Sequence, residues 1–113
     1  MKKHTKALLL LTMTFGLGVP LAQGEAAKTR WEKHCASCHG KDGKGETKMG
    51  RQAGVKDYTD PKFQEEFQEA RAIKTIKEGL TEQGKERMKP YADKLTDDEI
   101  KSLAAYIRTF KKP

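Results

Sequence analysis

Three residues with reactive side chains fall within five positions, in the run His34-Cys35-Ala36-Ser37-Cys38-His39-Gly40. Cys35 and Cys38 are the only cysteines in the chain. A disulfide between residues three apart closes a very short loop and stabilises little. A thioredoxin-like dithiol needs a strand–turn–helix setting in a sheet, and no segment shows the two-residue alternation of a strand. A tetrahedral zinc site needs four ligands, which here would all crowd into residues 34–39. A bare disulfide also gives His39 no task. The spacing C-x-x-C-H is instead the pattern of covalent haem attachment. Two thiols add to the two vinyl groups on one porphyrin edge, and two intervening residues let both sulfurs reach that edge. The next residue is carried under the ring, where its imidazole binds iron. Tethering of this kind holds one haem c even in a chain too small to enclose it.

The elements around this motif read as helices. Ala27, Trp31 and Cys35 recur every four residues, one face of a first helix. Gly40, Gly43, Gly45, Gly50 and Gly54 then interrupt any regular element, which predicts a long loop to Tyr58. Asp60-Pro61 is a helix start, a capping side chain followed by proline at the first helical position. Phe63, Phe67, Ala72, Ile73, Ile76 and Leu80 continue an apolar face over one helix or two, and Gly79 is placed to stop it in a left-handed turn. A second loop is expected from Thr81 to about Leu95. Thr96-Asp97-Asp98-Glu99 is a capping box. Ile100, Leu103, Ala104, Ile107 and Phe110 then form the stripe of a last helix.

The N-terminal segment has the layout of a secretory signal peptide. Lys2, Lys3 and Lys6 precede an apolar run from Ala7 to Val19, shorter than the ~20 residues of a membrane span. Ala22-Gln23-Gly24 offers small residues for cleavage, so residues 1–24 are assigned as signal and 25–113 as one domain. Cleavage removes three lysines and no acid, and lowers the net charge from +7 to +4. The remaining 89 of 113 residues are close to the size at which a core alone is marginal. A flat macrocycle would add interior. An exported chain of modest charge does not read as a nucleic-acid binder, and no stable membrane insertion is expected once the signal is gone.

The motifs together resemble the small class I (monohaem) cytochromes c, over about Ala27 to Phe110. The resemblance rests on Trp31-x-x-x-Cys35-x-x-Cys38-His39-Gly40, Gly43-x-Gly45, Met88-Lys89-Pro90-Tyr91, and Leu95-Thr96-Asp97-Asp98-Glu99-Ile100 leading to Leu103-x-x-Tyr106-Ile107. It implies an all-α cytochrome c fold, three to five helices wrapped around one covalently bound haem, with Ala27 and Trp31 crossing Leu103 and Tyr106 as packing positions. It also implies a methionine on the iron face opposite His39. Met88 holds the family's place; Met49, ten residues after His39, is not excluded on reach. A thioether is a soft, neutral donor that favours reduced iron. The loop after His39 lacks the proline whose carbonyl, in many members, accepts the histidine's other N–H, so another carbonyl is expected there.

The function so implied is one-electron transfer by Fe(II)/Fe(III) cycling in the periplasm, without enzymatic turnover. The alternatives are a five-coordinate gas sensor or haem enzyme, and a haem subunit of a larger oxidoreductase. Lys33, Lys41, Lys44, Lys48, Arg51, Lys85, Arg87 and Lys89 flank the motif and the Met88 loop. They read either as solvated surface or as a positive collar that steers an acidic redox partner. Tyr58 and Thr59 read as turn residues before contacts to haem propionates, and His34 as a surface residue.

Overall fold

The computed structural model describes residues 21–113. Residues 1–20, which carry most of the expected signal peptide, lie outside that range. Helix α1 (Leu21–His34) leads into a single turn, α2 (Ala36–His39). Then come α3 (Lys48–Ala53), α4 (Pro61–Glu66), α5 (Glu69–Glu78), the strands β1 (Leu80–Glu82) and β2 (Lys85–Met88), and α6 (Asp97–Arg108). The all-α expectation holds, with more and shorter helices than three to five and one small antiparallel hairpin.

The start signals read from the sequence are met. The Asp60 carboxylate accepts from the Lys62 N–H at 2.9 Å, with Pro61 at the first helical position. Thr96 and Glu99 form the reciprocal box: the Glu99 N–H donates to Thr96 Oγ1 at 3.2 Å and the Thr96 N–H to Glu99 Oε1 at 3.0 Å. Two donors freed at the α6 N-terminus are thereby satisfied. The apolar stripe of α6 is the centre of the core. Ile100, Leu103, Ala104 and Ile107 are buried, against Ala27 and Trp31 of α1, Ile76 of α5, and Leu95. Helices α1 and α5 both pack on α6. Ion pairs Arg30–Glu99 (2.7 Å) and Lys77–Asp97 (2.8 Å) tie the same helices together at the surface, where such pairs contribute little.

Three local expectations need correcting. The glycine-rich stretch is not all loop, because α3 lies inside it and contains Gly50. A Cβ on Gly50 would run into the Cys38 carbonyl and come within 2.5 Å of the Gly45 carbonyl. The glycine is there so that α3 can press against α2. Gly50→Ala is therefore expected to cost about 1–3 kcal/mol of overpacking, while Arg51→Ala, at an exposed position of the same helix, stays within about 0.5 kcal/mol. Denaturant midpoints of the two variants check this. The second loop, too, contains structure: Leu80 pairs with Met88 and Glu82 with Lys85 across Gln83-Gly84. Finally, Gly79 ends α5 with φ 75° and ψ −174°. That is a glycine conformation but an extended one, so the chain leaves α5 directly into β1 rather than through a left-handed cap.

The stretch 61–79 resolves into two helices. Phe67 (φ −65°, ψ 132°) and Gln68 (φ −124°, ψ 119°) are extended between α4 and α5. Arg108 Nη2 donates to the Phe67 carbonyl at 2.8 Å, and its guanidinium lies 4.6 Å from the Phe67 ring centre. An acceptor released by the break is thus met from α6.

Candidate functional site

One helical turn displays the attachment motif. The N–H of Cys35 donates to the Trp31 carbonyl (2.8 Å), and those of Cys38 and His39 to the Cys35 carbonyl (3.2 and 2.9 Å). Cys35 and His39, four apart, therefore share a face, and both line a cleft of about 340 Å³. Cys38 is half-buried and does not line that cleft. Its carbonyl accepts from Thr47 Oγ1 at 2.7 Å, and Thr47 Oγ1 in turn accepts from the Gly50 N–H at 2.8 Å. The His39 carbonyl takes the Gly45 N–H at 2.8 Å, and the Gly40 carbonyl takes the Trp31 indole N–H at 2.9 Å. The motif's backbone is thus fixed from α1, from α3 and from the loop between.

The cleft wall is largely apolar. Phe63, Phe67, Ala72 and Ile76 come from α4, the break and α5, and Leu103 and Ile107 from α6. Met88, at the end of β2, lines the same cleft. Met49 does not, and is 53% exposed on α3. Lys56, Glu66, Arg71 and Glu82 supply its charges. Tyr58 lines the cleft as well, stacked between the His39 ring (centroids 5.0 Å, 21°) and the Phe63 ring (4.6 Å, 24°). Its neighbour Thr59 is used in a turn, since its N–H and Oγ1 both donate to Asp57 Oδ1 at 2.8 and 2.6 Å. A second depression of about 310 Å³, between Pro61, Glu65, Lys111 and Lys112, gathers no chemical group of the motif.

Burial sets the protonation of the site. It pushes the Cys35 thiol up to about 12, with the neighbouring Cys38 adding to the shift. A thiol that reluctant to ionise is the opposite of an attacking redox thiolate. Burial lowers His39 to about 4, so the imidazole is neutral across the physiological range and has a lone pair to give a metal. Its Nδ1 is buried and meets no hydrogen-bond partner among the described residues. The carbonyl expected to accept from it is not supplied. Among the described residues no group of three or more His, Cys, Asp or Glu is assembled for a bare metal ion. An apolar slot with the Cys35 thiol, a neutral imidazole and a thioether on its lining, and the second thiol on the same helical turn beside it, fits a haem with iron at its centre.

The profile of a family described as cytochrome c oxidase, cbb3-type, subunit III matches residues 22–107. The chain belongs to this family, among the small monohaem c-type cytochromes. It is 31% identical to cytochrome c-554(547) of Halothiobacillus neapolitanus over 86 residues, 76% of this chain and 94% of that protein. The KustC0563 c-type cytochrome is similar in structure, with a TM-score of 0.66 at 33% identity over 76% of this chain and 98% of that one. A tyrosine-to-phenylalanine variant of the same protein gives 0.67 at 34% identity, over 75% and 98%. As a c-type cytochrome, this chain is built for haem c.

Several residues that shape the cytochrome's site carried no clear signal in its sequence. Gln64 is 2% exposed, and its Nε2 donates to the carbonyls of Tyr58 (2.7 Å) and Ile107 (3.0 Å), tying the cleft wall to α6. A glutamine beside Phe63 looks like solvent face until its partners are seen. Thr47 had a usable signal, an N-capping residue just before a short helix, hidden by the glycines around it. In the sequence Tyr91 stands out only as part of a family motif. Its hydroxyl donates to the His34 carbonyl at 3.0 Å.

Proposed function

We propose that the cytochrome carries single electrons between partner proteins, using one haem c bound through thioethers from Cys35 and Cys38, with His39 and Met88 as axial ligands. The observation that carries this reading is that one cleft is lined by Cys35 and His39 from the motif and by Met88 from the hairpin, with Met49 left exposed outside it. The haem, when bound, supplies the Fe(II)/Fe(III) couple. The protein's part is to hold it and set its electronics. His39 offers a neutral nitrogen held by its carbonyl's bond to Gly45, and Met88 a thioether that favours the reduced state. The apolar wall of Phe63, Phe67, Ile76 and Leu103 excludes water. With both axial positions filled, no substrate reaches the iron, so the protein is a carrier and not an enzyme.

The site of action is the periplasm, supported by the signal-like N-terminus and by the extracytoplasmic chemistry that haem attachment suits. No described helix is long and apolar enough to cross a membrane. Lys33, Lys41, Lys48, Arg51, Lys85 and Lys89 are exposed, and Lys44 and Arg87 half-buried. They form the collar for an acidic partner, and electron transfer to that partner slows as salt rises.

The deciding measurement is carbon monoxide binding to the reduced protein, read beside the weak near-infrared sulfur–iron band of the oxidised one. The wild type is expected to resist carbon monoxide at neutral pH. Met88→Ala loses the band and binds carbon monoxide rapidly; Met49→Ala retains the wild-type behaviour. Rapid binding by the wild type would instead establish a five-coordinate sensor or enzyme. The family description also favours a second reading, a haem-bearing subunit of a larger oxidoreductase, which size-exclusion of the native extract would reveal as a high-mass species.

A further inference from the structure

The segment that carries Met88 is held mainly from one side. The Tyr91 N–H donates to the Ile76 carbonyl at 2.9 Å, and the Ala92 N–H to the Lys77 carbonyl at 3.3 Å. Gly79 lets the same segment lie on the end of α5, since a Cβ there would come within 2.6 Å of the Met88 carbonyl and 2.9 Å of the Pro90 nitrogen. All of these contacts fasten the segment to α5 and its end. None of them fixes it relative to the Cys35–His39 turn.

One bond does. The Tyr91 hydroxyl reaches across 57 residues of sequence to the carbonyl of His34, at 3.0 Å. His34 is the last residue of α1 and immediately precedes Cys35. Its ring meets the Tyr91 ring edge-on, with centroids 5.9 Å apart at 75°, and Lys94 Nζ lies 5.6 Å from the Tyr91 ring centre. Among the described residues, no other hydrogen bond or ion pair joins residues 79–95 to residues 21–45.

We propose that Tyr91 is a latch: its hydroxyl sets the Met88 segment against the haem-attachment turn and so governs how often the thioether leaves the iron to an outside ligand. The proposal rests on the reading of Met88 as axial ligand. Tyr91 touches neither the iron nor the thioethers, and acts by position. Removing its hydroxyl leaves the hairpin, the two bonds to α5 and the aromatic ring in place, so the segment still folds. What changes is the cost of swinging it away from α1.

The test compares the purified holoproteins of wild type, Tyr91→Phe, Met88→Ala and Thr96→Ala. Thr96→Ala removes the α6 cap, whose bonds to Glu99 lie outside residues 79–95, and reports a general loss of stability. Carbon monoxide binding to the reduced protein is expected to rise ~5–10-fold in Tyr91→Phe, the change in open population that one lost hydrogen bond produces. In the oxidised Tyr91→Phe, the sulfur–iron band should disappear at a lower denaturant concentration than helical circular dichroism, by a wider margin than in wild type. In Thr96→Ala the carbon monoxide rate stays at the wild-type value, and the two transitions move together. If Tyr91→Phe binds carbon monoxide like wild type and keeps the wild-type margin, while Met88→Ala binds rapidly, the latch is overturned and the ligation stands. If Met88→Ala keeps the band and still resists carbon monoxide, the ligation reading falls and the latch with it.

Discussion

Replacing both Cys35 and Cys38 by serine is expected to yield a chain whose haem extracts into acidified organic solvent and which, once stripped of haem, shows no cooperative unfolding transition. The reason is the size of the core. Among the described residues the buried apolar side chains are Ala27, Trp31, Ile76, Leu95, Ile100, Leu103, Ala104 and Ile107, four of them on one helix. Beside them stands a cleft of about 340 Å³ whose half-buried wall includes Phe63, Phe67, Ala72 and Met88. Burying a large apolar side chain contributes about 1.5–3 kcal/mol, and a whole domain is stable by only about 5–15 kcal/mol. Leaving such a wall in water removes a comparable amount. The proposed thioethers would make the difference between a group that dissociates and one that remains. Haem extraction and circular dichroism on heating check the two halves of the expectation. A stripped double variant with full helix content and a sharp thermal transition would show that the protein core suffices by itself.

What could be read from the sequence was local. The attachment motif spans five residues, and the chemistry of its spacing needs no knowledge of the fold. The α6 capping box and the Asp60-Pro61 start are also decided within a turn of helix, and both are found as read. The features that escaped depend on distant partners. Nothing between Phe63 and Ile73 announces a break, because the Phe67 carbonyl it frees is satisfied by Arg108, 41 residues away. In the sequence Gly50 looks like a helix breaker, because its reason for being glycine, the nearness of the Cys38 carbonyl, lies in tertiary contact. The hairpin hid for a different cause. Gln83 and Gly84 both have positive φ, 52° and 73°, as a tight two-residue hairpin turn requires, but Gln-Gly lacks the familiar Asn-Gly signature. Strands as exposed as Thr81–Glu86 show no alternation to betray them. The same limit applies to Met88: two methionines were within reach of the iron by length, and only the folded chain shows which one lines the cleft.

Trp31 should prove the most sensitive side chain outside the motif, and two substitutions separate its two tasks. The residue is 2% exposed. Its ring packs on Phe110 (centroids 5.1 Å), Tyr106 (5.6 Å), His39 (5.6 Å) and Tyr58 (6.2 Å). Its indole N–H donates to the Gly40 carbonyl at 2.9 Å in a buried position. Trp31→Ala removes ring and bond together and is expected to destabilise by about 3–5 kcal/mol, a large share of what such a domain has. Trp31→Phe keeps most of the apolar contact and leaves the Gly40 carbonyl with only the Gly43 N–H, at 3.2 Å, for an expected cost of about 0.5–1.5 kcal/mol, that of one lost hydrogen bond. Denaturant titrations of the two holoproteins measure both, and an unchanged dependence on denaturant would show that stability alone has moved. The difference between the variants apportions the effect: a phenylalanine that costs as much as alanine would assign it to the hydrogen bond, and one that costs nothing would assign it to packing. The bond has a further consequence. Gly40 follows His39 directly, and His39 Nδ1 has no partner of its own among the described residues. The imidazole is therefore oriented by its backbone and by the Tyr58 and Trp31 rings packed on it, and Trp31 holds one end of that backbone. Trp31→Phe should accordingly broaden the spectroscopic signature of His39, the proposed axial ligand, as well as lower stability.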